Sequence, residues 1–206
     1  MSFSNSPSGF QYHYLRSKNP EAPVLGFTSP SQVLWHKDRL YLLDGQLCKI
    51  HIFAADGTYL GAILGEGDGP GEVRNPGALL LRRDGNLAVR HGYPTKLEFI
   101  TPDGDPVGRW WLQAQGWASR LRETPQGWFA VYGESKNSGE AGLFLTEVHV
   151  ALHDDDGQRI HEFFVTSRKQ RHSRSGALDE AEEYLPWYSS LALDDGQVVY
   201  PGDRDS

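Results

Sequence analysis

The sequence predicts an all-β fold built from repeated four-stranded units, and three observations carry this prediction. The first is a copy of the chain at an offset of 47 residues: Leu40 aligns with Leu87, and Asp56-Gly57 then falls on Asp103-Gly104 without a gap. The second is an alternation of apolar and polar residues with a period of two. The third is an Asp-Gly pair between neighbouring apolar runs, which is a strong hairpin signal. A repeat period in the forties with four short strands per unit is typical of β-propeller blades.

The first two units each contain four apolar runs in the order that a blade requires. In the first unit, 31–64, these runs are 32–36, 39–43, 48–53 and 59–64. Within the third run Ile50 and Ile52 alternate with polar residues, as expected for a strand with one buried face. The second unit, 77–112, repeats the arrangement with runs at 78–81, 87–89, 96–100 and 107–112.

The remaining units depart from this even spacing. In the third unit, 117–165, the step from Gly104 to Gly157 is 53 residues, so the polar stretch 133–139 is interpreted as an insertion between the second and third strands. The charged segment 166–187 is expected to be a loop insertion. The fourth unit, 188–206, supplies only two strands around an Asp-Gly pair. Residues 1–30 are expected to form an N-terminal extension or a strand that closes a blade.

The segment that joins the first two units carries the most specific pattern in the chain. From Gly65 it reads GEGDGPGEVRNPGALLLRRDGNLAV, with a Pro-Gly-Glu, an Asn-Pro and an Asp-Gly-Asn-Leu before a small apolar run. Together with the preceding LYLLDGQLCKIHIFAADGTYLGAILG, it resembles the NHL-type six-bladed β-propellers, in which such a segment connects the outer strand of one blade to the inner strand of the next. The resemblance is good over 31–112, weaker over 117–165 and fragmentary after 187. It implies a six-bladed ring of four-stranded antiparallel blades.

A six-bladed ring needs more chain than this sequence supplies. Six blades of roughly 45 residues need about 270 residues, whereas the 206 residues hold about three and a half units. Because an open arc leaves two exposed sheet edges, which favour aggregation, we expect an incomplete six-bladed ring from a longer bacterial protein. An arc closed by oligomerisation and a compact four-bladed ring are the alternatives.

The net charge and the length of the apolar runs limit the kinds of partner that this chain is expected to bind. The net charge is -7, whereas proteins that bind nucleic acid generally present a basic field, so no nucleic-acid partner is expected. No apolar run approaches the ~20 residues that cross a bilayer, and the first residues lack the apolar core of a secretory signal. The resemblance is compatible with an exported or envelope-associated protein. The single cysteine, Cys48, lies in an apolar run and is predicted to be a buried hydrophobe.

Candidate binding residues follow from the repeat. Asp44, His91 and Glu134, with Asp203 in the fourth unit, stand just past or near the end of the second strand of successive units. Loops at such positions surround the mouth of a propeller channel, where convergent oxygen and imidazole groups would suit a metal or a polar ligand. The alternative is that Asp44 and its counterparts cap turns by accepting hydrogen bonds from backbone N–H groups.

No catalytic motif accompanies these residues. Asp154-Asp155-Asp156-Gly157 lacks the later ligands of a calcium-binding EF-hand loop, and the glycine-rich stretch 65–71 lacks the Lys-Ser/Thr of a phosphate loop. We therefore predict a non-enzymatic scaffold that binds a protein or a small molecule, without catalytic residues or a cofactor. The alternative is a metal-dependent enzyme with calcium or zinc in the channel, like the lyase and lactonase propellers to which the resemblance extends.

Overall fold

A computed structural model describes residues 13–15, 25–137, 143–171, 192–194 and 197–199 of the chain. Every regular element in these ranges is a β-strand. The described part of the chain therefore contains no helix long and apolar enough to cross a bilayer. Three sheets have four antiparallel strands each, in simple sequential order. The predictions of an all-β fold and of four-stranded antiparallel blades are confirmed.

Two short strands precede the first blade. β1 (His13–Leu15) and β2 (Leu25–Phe27) pair with each other in antiparallel register and form a separate sheet. Phe27 is buried and lies edge-on against the ring of His51, with centroids 4.9 Å apart. The described part of the N-terminal extension thus packs against the first blade without adding a strand to it.

The first blade runs from the innermost strand to the outermost in chain order. It consists of β3 (Pro30–His36), β4 (Arg39–Asp44), β5 (Lys49–Ala54) and β6 (Tyr59–Ile63). In β4, Tyr41 and Leu43 are fully buried, as the period of two requires for a strand with one face in the core. The turn between β5 and β6 is closed by a hydrogen bond from Gly57 N–H to the carbonyl of Ala54.

A linker with two short parallel strands, β7 (Gly65–Glu66) and β8 (Glu72–Val73), leads into the second blade. That blade consists of β9 (Ala78–Leu81), β10 (Leu87–His91), β11 (Lys96–Ile100) and β12 (Pro106–Trp111). The offset of 47 residues holds in the structure: β10 ends 47 residues after the end of β4. Likewise, β11 and β12 begin 47 residues after the starts of β5 and β6. The inner strands of the two blades lie side by side, since Leu79 N–H donates to Oε1 of Gln32 at 2.8 Å.

The third blade has the longest strands of the three. It consists of β13 (Gly116–Thr124), β14 (Gly127–Asn137), β15 (Leu143–His153) and β16 (Arg159–Arg171). Two sequence-based boundaries were wrong here. The stretch 133–137, interpreted as part of an insertion, continues β14, and residues 166–171, assigned to the loop insertion, continue β16. Both segments extend the sheet because β15 lies between them and pairs with each along its length.

The hydrophobic core lies in two layers between the blades. One layer joins the first blade to the second and includes Tyr41, Ile50 and Leu87. The other joins the second blade to the third and includes Ala88, Trp110 and Trp128. Leu87 and Ala88 are successive residues of β10 that point to opposite layers. The second blade is therefore buried on both faces, which is how stacked blades share their apolar surface.

A last hairpin lies inside the predicted fourth unit. β17 (Ala192–Asp194) and β18 (Gln197–Val199) pair in antiparallel register. Residues 172–191, which contain most of the predicted loop insertion, lie outside the described residues. Asp203 lies outside them as well.

Candidate functional site

Asp44 is the last residue of β4. Its carboxylate accepts hydrogen bonds from residues that precede β3 and from residues that follow β4. The N–H of Thr28 donates to Oδ2 at 2.7 Å and the hydroxyl of Thr28 donates to Oδ1 at 2.9 Å. The N–H groups of Ser29, Gln46 and Leu47 donate to the same carboxylate. Burial alone raises the pKa of Asp44, but these hydrogen bonds outweigh it and hold the pKa below its ordinary value. Asp44 thus caps a turn and anchors the entry to the first blade.

His91 ends β10 and plays a related part in the second blade. Its Nδ1 lies 3.4 Å from the N–H of Arg74, in the linker that leads into β9. Burial, followed by the nearby cations of Lys96 and Arg109, lowers the pKa of His91 to about 4. The imidazole is therefore neutral at pH 7, and Nδ1 accepts the hydrogen bond.

The structure shows no direct contact among Asp44, His91 and Glu134, the described residues that were predicted to converge at a channel mouth. Within residues 25–137 and 143–171, no hydrogen bond or ion pair joins Asp44, His91 and Glu134. Each instead has its own local partners. A common channel-mouth site formed by these residues with Asp203 remains a prediction.

Glu134 belongs to a polar cluster on the third blade, whose other members the repeat pattern did not predict. Carboxylate oxygens of Glu134 and Glu147 and a ring nitrogen of His149 all lie within 4.8 Å of one another. Oε2 of Glu147 is 3.6 Å from Nε2 of His149, and Oε2 of Glu134 is 3.9 Å from the same atom. We refer to these three residues as the Glu-Glu-His cluster.

The pairing of β14 with β15 puts the Glu-Glu-His cluster on one face. Glu134 is directly opposite Glu147, and Tyr132 is directly opposite His149. Side chains directly opposite in an antiparallel pair, and those two residues apart on one strand, share a face. The signal in the sequence was the alternation Glu147-Val148-His149-Val150, but its pairing with Glu134 depends on a register set by the long hairpin.

A bulge in β16 brings a third carboxylate to the ring of His149. Val150 pairs with Phe164 while Ala151 pairs with Glu162, so Phe163 is the extra residue. Bulges re-aim the side chains that follow them. Here the bulge turns Glu162 onto the face of His149, and Oε1 of Glu162 lies 2.8 Å from Nδ1 of His149.

Two further side chains fix the histidine ring. Tyr132 stacks on His149 with centroids 4.9 Å apart and an interplanar angle of 15°. Arg159 contacts the Glu162 carboxylate and lies 3.2 Å from Nδ1 of His149. Two contacts compete at Nδ1: the Glu162 carboxylate can only accept, at 2.8 Å, whereas Arg159 can only donate, at 3.2 Å. The shorter contact assigns the ring proton to Nδ1, and the Arg159 guanidinium is directed mainly at the Glu162 carboxylate. Nε2 is then the ring atom with a free lone pair. It is buried without a hydrogen bond to any described residue, its nearest polar neighbour being Oε2 of Glu147 at 3.6 Å.

Lys136 supplies a positive charge at the edge of the Glu-Glu-His cluster. Its Nζ is 2.5 Å from Oε2 of Glu147. This hydrogen bond is the main cause that raises the pKa of Lys136 and lowers the pKa of Glu147. The side chain of Lys136 is 54% exposed, so the pair is open to solvent.

An open cleft of about 490 Å³ runs between the second and third blades. Its lining combines an aromatic ring, amides, one cation and one anion. The residues are Pro94, Lys96, Trp111, Leu112, Gln113, Ala114, Gln115 and Glu134. Glu134 therefore lies on the wall of the cleft and also in the Glu-Glu-His cluster.

The Asp-Asp-Asp-Gly sequence, the glycine-rich linker and Cys48 each have a local structural role. Oδ1 of Asp154 accepts hydrogen bonds from the N–H groups of Asp156 and Gln158, which makes it the cap of a hairpin turn. In the glycine-rich linker, Gly69 N–H donates to Glu72 and Gly71 N–H donates to Glu98. Cys48 is buried, as predicted, and burial raises the pKa of its thiol.

Comparison with known proteins supports the fold. A family model described as a 6-bladed beta-propeller matches residues 25–86. The crystal structure of a protein of Bacteroides fragilis NCTC 9343 that is thought to be exported is similar, with a TM-score of 0.52 and 14% sequence identity. The similarity covers 80% of this chain and 42% of that one, so this chain spans less than half of its length. No curated protein matches. The three four-stranded sheets are propeller blades.

Proposed function

We propose that this chain is part of a non-enzymatic propeller scaffold, within a longer bacterial protein of NHL-like type, that binds a protein or a small molecule. The observation that carries the proposal is the cleft of about 490 Å³ between the second and third blades. Ligand sites are typically concave and combine apolar surface with a few polar groups that fix orientation. This cleft has that composition.

The chemistry of the cleft favours binding over catalysis. Trp111 is 46% exposed and offers a flat apolar surface, while Lys96, Gln113 and Gln115 offer hydrogen-bond donors and acceptors. By contrast, Asp44 and His91 already have backbone partners. These hydrogen bonds give both residues a structural role at the ends of β4 and β10.

The test is a binding screen of the full chain against a mixed library of short peptides and small molecules, read by nuclear magnetic resonance. Trp111→Ala should abolish the hits, and Lys96→Ala should weaken those that carry a carboxylate. Trp35→Ala is the matched control, since Trp35 is 54% exposed but lies on the first blade. Hits that survive Trp111→Ala, or that Trp35→Ala removes equally, would contradict the proposal.

The alternative function, a metal-dependent lyase or lactonase, predicts turnover. Assays with lactone substrates in the presence of calcium or zinc should show none for this chain. Measured turnover that Asp44→Asn or His91→Gln abolishes would establish the enzyme and overturn the scaffold.

A further inference from the structure

The Glu-Glu-His cluster brings three hydrogen-bond acceptors together. Glu134 and Glu147 are directly opposite across β14 and β15, where like charges destabilise a strand pair. Their carboxylates also face Nε2 of His149, whose lone pair is free because Glu162 holds the ring proton on Nδ1. The side chain of His149 is only 7% exposed, so little solvent reaches this atom. A buried acceptor between two anions is unfavourable unless a cation or a proton lies among them.

Lys136 offsets only part of this negative charge. It contacts Oε2 of Glu147, whereas neither Glu134 nor Nε2 of His149 has a hydrogen bond to it. The Lys136 side chain is half exposed and can move aside, since an ion pair at such a site is weak. Among the described residues, Glu134 and Nε2 of His149 therefore have no cation in hydrogen-bond contact, although the charge of Lys136 also acts on Glu134 through space.

We infer that Glu134, Glu147 and His149 form a binding site for a divalent transition-metal ion of the Zn²⁺ type. Zinc binds imidazole nitrogen and carboxylate oxygen at about 2.0–2.2 Å, so neighbouring ligand atoms in a tetrahedral site are about 3.4 Å apart. Nε2 of His149 is 3.6 Å from Glu147 and 3.9 Å from Glu134. Shifts of a few tenths of an ångström would bring these two distances to the required value. The Glu134 and Glu147 oxygens, which lie within 4.8 Å of each other, would approach by up to about 1.4 Å through rotation of two partly exposed side chains.

The environment of the histidine fits this class of metal. A ligating histidine commonly donates its other ring N–H to a carboxylate, which orients the ring and raises the basicity of the ligating nitrogen. Glu162 supplies that carboxylate, and Tyr132 stacks on the ring. An imidazole ligand disfavours Ca²⁺ and Mg²⁺, which prefer oxygen ligands. Three protein ligands leave a position for water or another donor, and Glu134 also lines the open cleft.

The test is titration of the full chain with Zn²⁺ by calorimetry after removal of metals with a chelator. We expect one ion per chain with a Kd tighter than about 10 µM and no comparable binding of Ca²⁺. His149→Gln and Glu134→Gln should each weaken binding at least about 10-fold. His161→Gln is the matched control, because His161 is an exposed residue of the same blade, and should bind as the parent does. Lys136→Gln should tighten binding up to about fivefold, since it removes a competing cation.

The outcomes separate a metal site from adventitious binding. X-ray absorption spectra at the zinc edge should show that only nitrogen and oxygen atoms coordinate the ion. No zinc binding, binding that survives Glu134→Gln, or weaker binding in Lys136→Gln would overturn the inference. Glu134→Gln keeps the test valid if His149→Gln fails to fold, because the Glu134 side chain is more exposed than that of His149. The inference does not depend on the cleft ligand: Trp111→Ala should leave zinc binding unchanged.

Discussion

The carboxylate of Glu98 lies 2.6 Å from Nε of Arg109, and the Glu98 side chain is only 1% exposed. The same carboxylate accepts a hydrogen bond from Gly71 N–H at 2.6 Å, and Arg109 also donates to the carbonyl of Gly69. An ion pair between the buried carboxylate of Glu98 on β11 and the partly buried Arg109 on β12 therefore holds the glycine-rich linker against the second blade. This arrangement gives a structural reason for the polar residues that surround the Pro-Gly-Glu sequence.

Glu98→Gln should destabilise the fold because it leaves the partly buried Arg109 without its counter-charge. Breaking one partner of a buried pair costs about 3 kcal/mol, measurable as a lower midpoint in urea unfolding at pH 7. Asp103→Asn is the control, since Asp103 pairs with Arg39 but is 74% exposed, and it should leave the midpoint nearly unchanged. Equal effects of the two substitutions would contradict the assigned role of Glu98.

Asp44→Asn should weaken the anchor at the start of the first blade. An amide keeps one acceptor oxygen, whereas the carboxylate accepts hydrogen bonds at both of its oxygens. Since hydrogen bonds to a charged group are the stronger ones, we expect a loss of about 2 kcal/mol in the free energy of unfolding. The hydrogen bond is also testable by amide exchange: Thr28 N–H should exchange faster in Asp44→Asn, and unchanged exchange would contradict the cap.

Stability should fall as the pH drops from 7 to 5. Burial holds the pKa of His91 and of His153 at about 4, below the value of about 6.5 for an unfolded histidine. The unfolded chain therefore binds more protons between these values, and stability present above about pH 6.5 is lost toward pH 4. Each histidine contributes on the order of 1–2 kcal/mol to the loss at pH 5. Urea unfolding at both pH values measures it.

The double variant His91→Gln/His153→Phe tests the assignment of that pH dependence. It should remove a large part of the decline between pH 7 and 5, and groups such as His51, whose pKa burial also lowers, account for the remainder. The pKa of Asp44 is lowered, so this carboxylate loses its contribution only below about pH 4, outside this window. A decline of the same size in the double variant would show that other groups cause it.

His153→Phe should stabilise the protein at pH 7. His153 is 1% exposed, and within the described residues its ring nitrogens have no well-formed hydrogen bond, only a weak contact with the backbone of Trp128. A buried polar group left in this way costs about 1–3 kcal/mol. Phenylalanine has a similar shape and fits the edge-on contacts with Trp110 and Tyr132. We expect a gain of about 1 kcal/mol in urea unfolding. A loss of stability would mean that a ring nitrogen has a partner such as ordered water.

The repeat made much of the fold predictable because its signals are local. Strand alternation and Asp-Gly turns depend on neighbouring residues, and these placed β4 to β6 and β10 to β12 correctly. The extension of β14 through 133–137 was missed because glycine and polar residues have weak strand preference. That segment is a strand because β15 supplies its hydrogen bonds, and local composition does not reveal this pairing.

The Glu-Glu-His cluster was harder to predict for the same physical reason. Glu134 was found from its position in the repeat, but its neighbours were not. The register of a long hairpin brings Glu147 opposite Glu134, and a bulge at Phe163 turns Glu162 toward His149. A register shift of one residue would place these side chains on the other face. Only the paired strands fix which face the residues share.

Gly157→Ala should destabilise far more than Gly57→Ala, although both glycines occupy the same turn of their blades. Their φ angles are +80° and +88°, so alanine costs about 1–2 kcal/mol at either from backbone strain. A Cβ on Gly57 meets nothing within 4 Å, whereas one on Gly157 would lie 1.7 Å from the carbonyl oxygen of Trp111. The turn at Gly157 packs directly on the second blade, where its carbonyl accepts a hydrogen bond from Gln113 N–H. We expect at least about 2 kcal/mol of additional loss for Gly157→Ala in urea unfolding, and equal losses would contradict the close packing of the two blades.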